Sequence, residues 1–214
     1  MVIVAVIAGV VGGVFAGWAI RLLLARLRRG VVLRPGVAEV GSAVVTGLGV
    51  ALSWGGPLLA MVIWAGLLAV ALGAVDLVHH RLPDALTLPA IPVTAVVVAA
   101  TGYLNPDAGS LVRGAVVGLV LGGAFWALAA LAPRAMGRGD VKLVPSLGLL
   151  TGFVSVEASA LATVIAFVLG ALVAIVGLLA RKLTVTSAIP FGPCLLAGCW
   201  LVLAVPAVTT WVIG

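Results

Sequence analysis

Leu143–Ala180, LVPSLGLLTGFVSVEASALATVIAFVLGALVAIVGLLA, is the stretch on which the architecture turns. As one helix its 38 residues, at about 1.5 Å each, extend about 57 Å, nearly twice a hydrocarbon core of about 30 Å. The run must therefore break. Thr151-Gly152 with Glu157 is the place the sequence offers, giving a short span over about 143–156 and a longer one over about 158–180. That break fixes how many times the chain changes sides, and so which loops share a face.

Composition makes the membrane reading unavoidable. Mean hydropathy is +1.39, and 64% of residues are hydrophobic while 8% are charged, against about 25% charged in a soluble domain. The apolar runs are continuous and lack the apolar/polar alternation of a transmembrane barrel, so the fold class is all-α, a polytopic helical membrane protein. Working outward from 143–180, other spans fall at about 2–20, 40–54, 57–75, 86–103 and 111–132, and a last one runs from near Ile189 to near 212. Trp54-Gly55-Gly56-Pro57 and Asn105-Pro106-Asp107 read as turns. Pro89 and Pro92 sit inside the fourth span, where neighbouring helices can satisfy the freed carbonyls. The first run has no basic region ahead of it and is read as a span, not a removed signal peptide. The whole of 1–214 is one membrane-embedded domain, with a short basic loop over about 21–39.

About eight spans with the N-terminus outside place Arg21, Arg26, Arg28, Arg29, Arg34, Arg81, Arg134, Arg138, Lys142, Arg181 and Lys182 on the cytoplasmic side. These are 11 of the 12 basic residues, with Arg113 on the other side. Without the break in 143–180, Arg181 and Lys182 would be exported. The net charge of +6 is thus topology information, and no nucleic-acid partner is expected. Cys194 and Cys199 lie in an apolar run without metal or disulfide spacing and read as small buried residues.

Of six carboxylates, three fall in two polar stretches: Asp76 and Asp84 in Ala74-Val75-Asp76-Leu77-Val78-His79-His80-Arg81-Leu82-Pro83-Asp84, and Asp140 in Gly137-Arg138-Gly139-Asp140-Val141-Lys142. Carboxylates at membrane depth are costly, so each needs a reason. The same topology puts both stretches on the cytoplasmic face. Asp76 ends an apolar helix, where the macrodipole disfavours an anion, whereas Asp140 opens one, where free N–H groups favour it. Two carboxyl groups in unlike environments suit acid–base division of labour. Gly137 and Gly139 would let the backbone turn tightly and approach a substrate strand, with a plain helix-joining loop as the alternative. For Asp140 the alternative role is a helix N-cap, and N-capping the fourth span is the expected role of Asp84. Arg81, Arg138 and Lys142 read as topology anchors, or as cations that hold one carboxylate ionised. His79 and His80 have no third ligand at metal spacing, so neither a metal nor another cofactor is expected.

At these residues the sequence resembles the type IV prepilin peptidase family, membrane aspartyl proteases with a Gly-x-Gly-Asp motif. Asp76 through Leu88 with its Leu82-Pro83-Asp84, Gly137 through Lys142, and Ile189-Pro190-Phe191-Gly192-Pro193 carry the likeness, and the 64-residue separation of Asp76 and Asp140 fits the family. The resemblance implies that Asp76 and Asp140 are catalytic, with Gly137, Gly139, Lys142, Asp84, Pro190 and Gly192 binding substrate or supporting the site. It implies cleavage of the basic leader from prepilin or pseudopilin precursors at the cytoplasmic face of a prokaryotic plasma membrane, with the precursor's apolar helix in the bilayer. Bifunctional members carry paired CxxC motifs in a zinc-bearing domain after the first span and also methylate the new N-terminus. Here that place holds only the Arg-rich stretch to Glu39, so the resemblance implies a peptidase lacking that domain and speaks against methylation. A preflagellin-type peptidase is the near alternative. A transporter or channel subunit using the aspartates for protons or cations is the distant one.

Overall fold

A computed structural model describes residues 1–27, 30–79, 82–132, 137–181 and 191–205. Among them lie eight helices: α1 Val2–Arg26, α2 Val37–Ser53, α3 Leu59–His79, α4 Asp84–Leu104, α5 Leu111–Leu131, α6 Arg138–Val154, α7 Val156–Leu179 and α8 Gly192–Ala204. A 3-10 turn at Pro106–Ala108 precedes α5. No strand occurs among the described residues, as the continuous apolar runs require. Among the described residues, five segments are long and apolar enough to cross a membrane: Val2–Arg26, Leu59–His79, Asp84–Leu104, Pro106–Leu131 and Val156–Leu179. α2 and α8 are apolar but shorter, and α6 carries Arg138, Asp140 and Lys142 in its first two turns. The expected limits of the last span, near Ile189 and near 212, lie outside the described residues.

Apolar side chains of α3, α4, α6 and α8 form the centre, where Met61, Leu72, Leu143, Phe153, Leu196 and Val202 are fully buried. Close helix approach depends on small residues, because in lipid the gain comes from packing and not from escaping water. On α5, Gly114, Gly118 and Gly122 recur every four residues and face α6: a Cβ at Gly118 would lie 2.8 Å from the Pro145 carbonyl oxygen, and one at Gly122 would lie 2.9 Å from Pro145 Cγ. Gly9, Gly13 and Gly17 of α1 face α2 in the same way, and the Thr46 hydroxyl donates to the Gly9 carbonyl at 2.8 Å. α4 runs unbroken through Pro89 and Pro92, and Trp64 of α3 donates its indole N–H to Thr94 of α4 at 2.8 Å.

Helix ends differ from the expected limits for local reasons. α1 continues past residue 20 because Arg21 Nε reaches Glu39 Oε1 at 2.7 Å. The other Glu39 oxygen accepts from the Gly36 amide at 2.9 Å, with Gly36 at φ +93°, and this caps α2. The turn at Trp54–Pro57 forms as expected around Gly55 at φ +76°.

The break in 143–180 falls at Ser155, inside the expected stretch between Thr151 and Glu157 and three residues beyond Gly152. Gly152 stays helical because its missing Cβ admits α5, with Val117 Cβ 2.5 Å from the position a Cβ would take. Ser155 is extended and its Oγ accepts from the Ala158 amide at 2.9 Å, capping α7. The last carbonyls of α6 are taken by Arg113: its Nε donates to Gly152 O at 3.0 Å and its Nη2 to Phe153 O at 2.6 Å and to Val154 O. The single basic residue assigned to the outer side is thus a helix C-terminal cap, where a cation is favoured by the macrodipole.

Candidate active site

The two aspartate stretches and the Phe191–Pro193 stretch converge where α3 ends and α4, α6 and α8 begin. Asp76 lies one turn before the end of α3, not at its terminus, because the helix continues to His79. Asp140 is the third residue of α6, which starts at Arg138 and not at 143. Both are buried, at 4% and 6% exposure.

Gly192, the first residue of α8, shows how close they are. A Cβ there would lie 2.9 Å from Asp76 Oδ2 and 3.3 Å from Asp140 Oδ1. Two carboxyl oxygens within such reach of one point share a single small space. The sequence expectation that residues 64 apart meet at one end of the bundle is therefore what the geometry contains.

The glycines of the second stretch form neither the expected tight turn nor a plain joining loop. Gly137 is the N-cap of α6 with φ −69°, a conformation open to any residue. Its carbonyl accepts from the Asp140 amide at 3.1 Å, and a Cβ on it would lie 2.9 Å from Asp140 Oδ2. Gly139 is already helical, and a Cβ on it would lie 2.6 Å from Leu82 Cβ and 3.0 Å from Leu82 N. What both positions need is the absence of a side chain: one leaves room for the carboxyl group, the other for the backbone ahead of α4.

Asp84 also departs from its expected role. Pro83 is the N-cap of α4, no side-chain cap forms, and Asp84 is the first helical residue. Its carboxylate instead pairs with Lys142 Nζ at 2.6 Å, both groups being partly solvated, so Lys142 ties α6 to α4 and does not serve only as an anchor. His79 is exposed, with Nε2 3.3 Å from the Gly30 carbonyl oxygen, which accepts from the Nε2–H tautomer. No group of three or more His, Cys, Asp or Glu suited to a metal occurs among the described residues. Cys194 and Cys199 are free and buried, as their apolar setting suggests. Pro190, His80 and Arg81 lie outside the described residues.

Sequence reasoning did not single out Leu82 for its contacts or Arg113 as a cap. Leu82 stands out in the sequence only as part of Leu82-Pro83-Asp84. Arg113 is the exception to the charge asymmetry, and its guanidinium has a structural task at the end of α6.

The model of the type IV leader peptidase family matches residues 61–175, which include Asp76, Asp84 and the whole Gly137–Lys142 stretch. The chain is similar to proteins named prepilin leader peptidase/N-methyltransferase. The one from Aeromonas salmonicida (strain A449) is 32% identical over 163 residues, covering 75% of this chain and 53% of that protein. The one from Pseudomonas putida is 32% identical over 194 residues, covering 86% and 62%. The one from Xanthomonas campestris pv. campestris is 34% identical over 135 residues, covering 62% and 45%. The chain thus spans about half the length of these curated relatives. No solved structure matches it.

Proposed function

The chain belongs to the type IV leader peptidase family, and on that premise we propose that it is an intramembrane aspartic endopeptidase whose catalytic pair is Asp76 and Asp140. Its substrate is a prepilin or pseudopilin precursor with a basic leader and an apolar helix, cut at the cytoplasmic face of the inner membrane. The observation that carries the reading is the pair of buried carboxyls meeting over Gly192.

Two carboxyl groups so close cannot both ionise cheaply and titrate as a pair holding one proton. The ionised member takes a proton from water, whose oxygen attacks the scissile carbonyl carbon, while the protonated member gives its proton to the carbonyl oxygen. Collapse of the tetrahedral adduct passes a proton to the leaving nitrogen and breaks the C–N bond. The leader leaves with a new carboxyl terminus and the mature segment with a new amino terminus. Burial among apolar helices strengthens each of these proton and charge interactions relative to water.

The proposal includes eight crossings of the membrane with the N-terminus outside and residues 1–214 forming one membrane-embedded domain. Charge asymmetry supports this, since Arg113 is engaged at the end of α6 opposite the carboxyl pair. The basic stretch 21–39 stands where bifunctional members have a zinc-bearing domain, and the peptidase function is proposed without methylation.

The test is purified chain in detergent with a leader-bearing pilin precursor, the products identified by mass. One cut between leader and apolar helix is expected. Intact precursor after prolonged incubation with folded protein would favour proton or cation transport. Cleavage confined to preflagellin precursors would move the substrate class.

A further inference from the structure

Leu82 is buried, with 7% exposure, just ahead of α4. Its Cβ and backbone press on Gly139 in the first turn of α6, where a glycine Cβ would stand 2.6 Å from Leu82 Cβ. The far end of the same side chain reaches α8: a Cβ on Gly192 would lie 3.3 Å from Leu82 Cδ1, at the point shared with Asp76 Oδ2 and Asp140 Oδ1. One leucine therefore spans from the Gly-x-Gly-Asp turn to the space between the carboxyls.

That leucine is also held from behind. Pro83 fixes the following backbone at φ −73°. The Pro83 carbonyl accepts from the Leu86 amide at 3.0 Å and from the Thr87 hydroxyl at 3.3 Å. The Asp84–Lys142 pair then binds the start of α4 to the second turn of α6. A side chain fixed by its own helix start and by α6 transmits position, because packed interiors do not deform continuously.

We propose that Leu82 is a positioning residue for the peptidase reaction, an apolar wedge between the first turns of α6 and α8 that sets the spacing of Asp76 and Asp140 and keeps bulk water off one side of them. The inference rests on the reading of those two residues as the catalytic pair. Hydrolysis needs one water on the side where the peptide enters. Further water at the pair would solvate both carboxyls and weaken their mutual influence. As a wedge, Leu82 acts through the geometry of the pair, so its loss is expected in turnover and not in substrate binding.

The experiment compares kcat and KM for precursor cleavage by the full chain with Leu82→Ala, Leu82→Val and Leu82→Met, beside Asp76→Asn and Asp140→Asn. Leu82→Ala is expected to lower kcat about tenfold to a hundredfold with KM unchanged, the scale of an ångström-sized misplacement. Leu82→Met, which refills the volume, is expected to restore kcat to within about twofold of wild type. If Leu82→Ala does not accumulate in the membrane, Leu82→Val decides, with an expected loss of about threefold or more against the same wild-type KM. Wild-type kcat in the alanine variant, or in the valine variant where valine decides, overturns the wedge, as does a methionine variant as slow as the alanine one. These failures are separable from failure of the pair: inactive Asp76→Asn and Asp140→Asn beside a fully active Leu82 variant sink the wedge alone, whereas active aspartate variants sink both.

Discussion

Gly192→Ala offers a direct probe of how tightly the carboxyl pair is framed. The added Cβ would stand 2.9 Å from Asp76 Oδ2 and 3.3 Å from Asp140 Oδ1, whereas ordinary contact begins at 3.4 Å. Relief requires one carboxyl to retreat by about 0.5 Å or α8 to shift by as much. Catalytic groups tolerate about that displacement before geometry is lost, and an error of about 1 Å costs about a hundredfold, so kcat should fall about tenfold. Stability should fall by no more than about 1–3 kcal/mol, the cost of overpacking, because Gly192 is the first residue of α8 and its replacement gains little helix propensity. The control is Gly73→Ala, one turn before Asp76 on α3, where a Cβ meets nothing within 4 Å. It should keep wild-type turnover. Single-turnover cleavage of precursor in detergent, normalised to folded protein by a thermal melt of the same sample, gives both quantities. Wild-type turnover in Gly192→Ala, or an equal loss in Gly73→Ala, would refute the framing argument.

Arg113→Gln should lower the thermal midpoint in detergent, because the carbonyls at the end of α6 lose a charged donor worth about 1–3 kcal/mol; turnover per folded molecule should persist, since these contacts lie at the opposite end of α6 from Asp140. A double-mutant cycle on Asp84→Ala and Lys142→Ala should return a stability coupling below about 1 kcal/mol, as expected for a solvated pair. In intact cells, a membrane-impermeant maleimide should label Asp107→Cys and leave Arg138→Cys unlabelled until the membrane is opened; the reverse pattern would invert the proposed orientation.

The sequence is most informative where a single physical rule dominates. Continuous apolar runs dictate helices, and length against bilayer thickness dictates a break in 143–180. The exact residue was hidden because Gly152, a local helix breaker by composition, is recruited for packing against Val117, while Ser155 ends the helix through its cap to Ala158. The same ambiguity runs through the Gly-x-Gly-Asp stretch. A glycine in a sequence signals either conformational freedom or the need for empty space, and only the neighbours decide. Gly137 and Gly139 are of the second kind: the neighbour of Gly137 is Asp140 itself, and that of Gly139 is Leu82, 57 positions before it. Asp84 looked like a cap because it follows Pro83, but Lys142, far along the chain, competes for its carboxylate and wins at 2.6 Å. What local pattern conceals at Gly152, Gly139 and Asp84 is a partner brought in by tertiary packing.

The most direct test of two carboxyls working as one unit is the cleavage rate of Asp76→Asn, Asp140→Asn and the double variant on the same precursor. Groups that share one proton-transfer task are strongly non-additive, so each single variant should lose as much activity as the double. Substantial turnover remaining in either single variant, or losses that multiply in the double, would contradict the account.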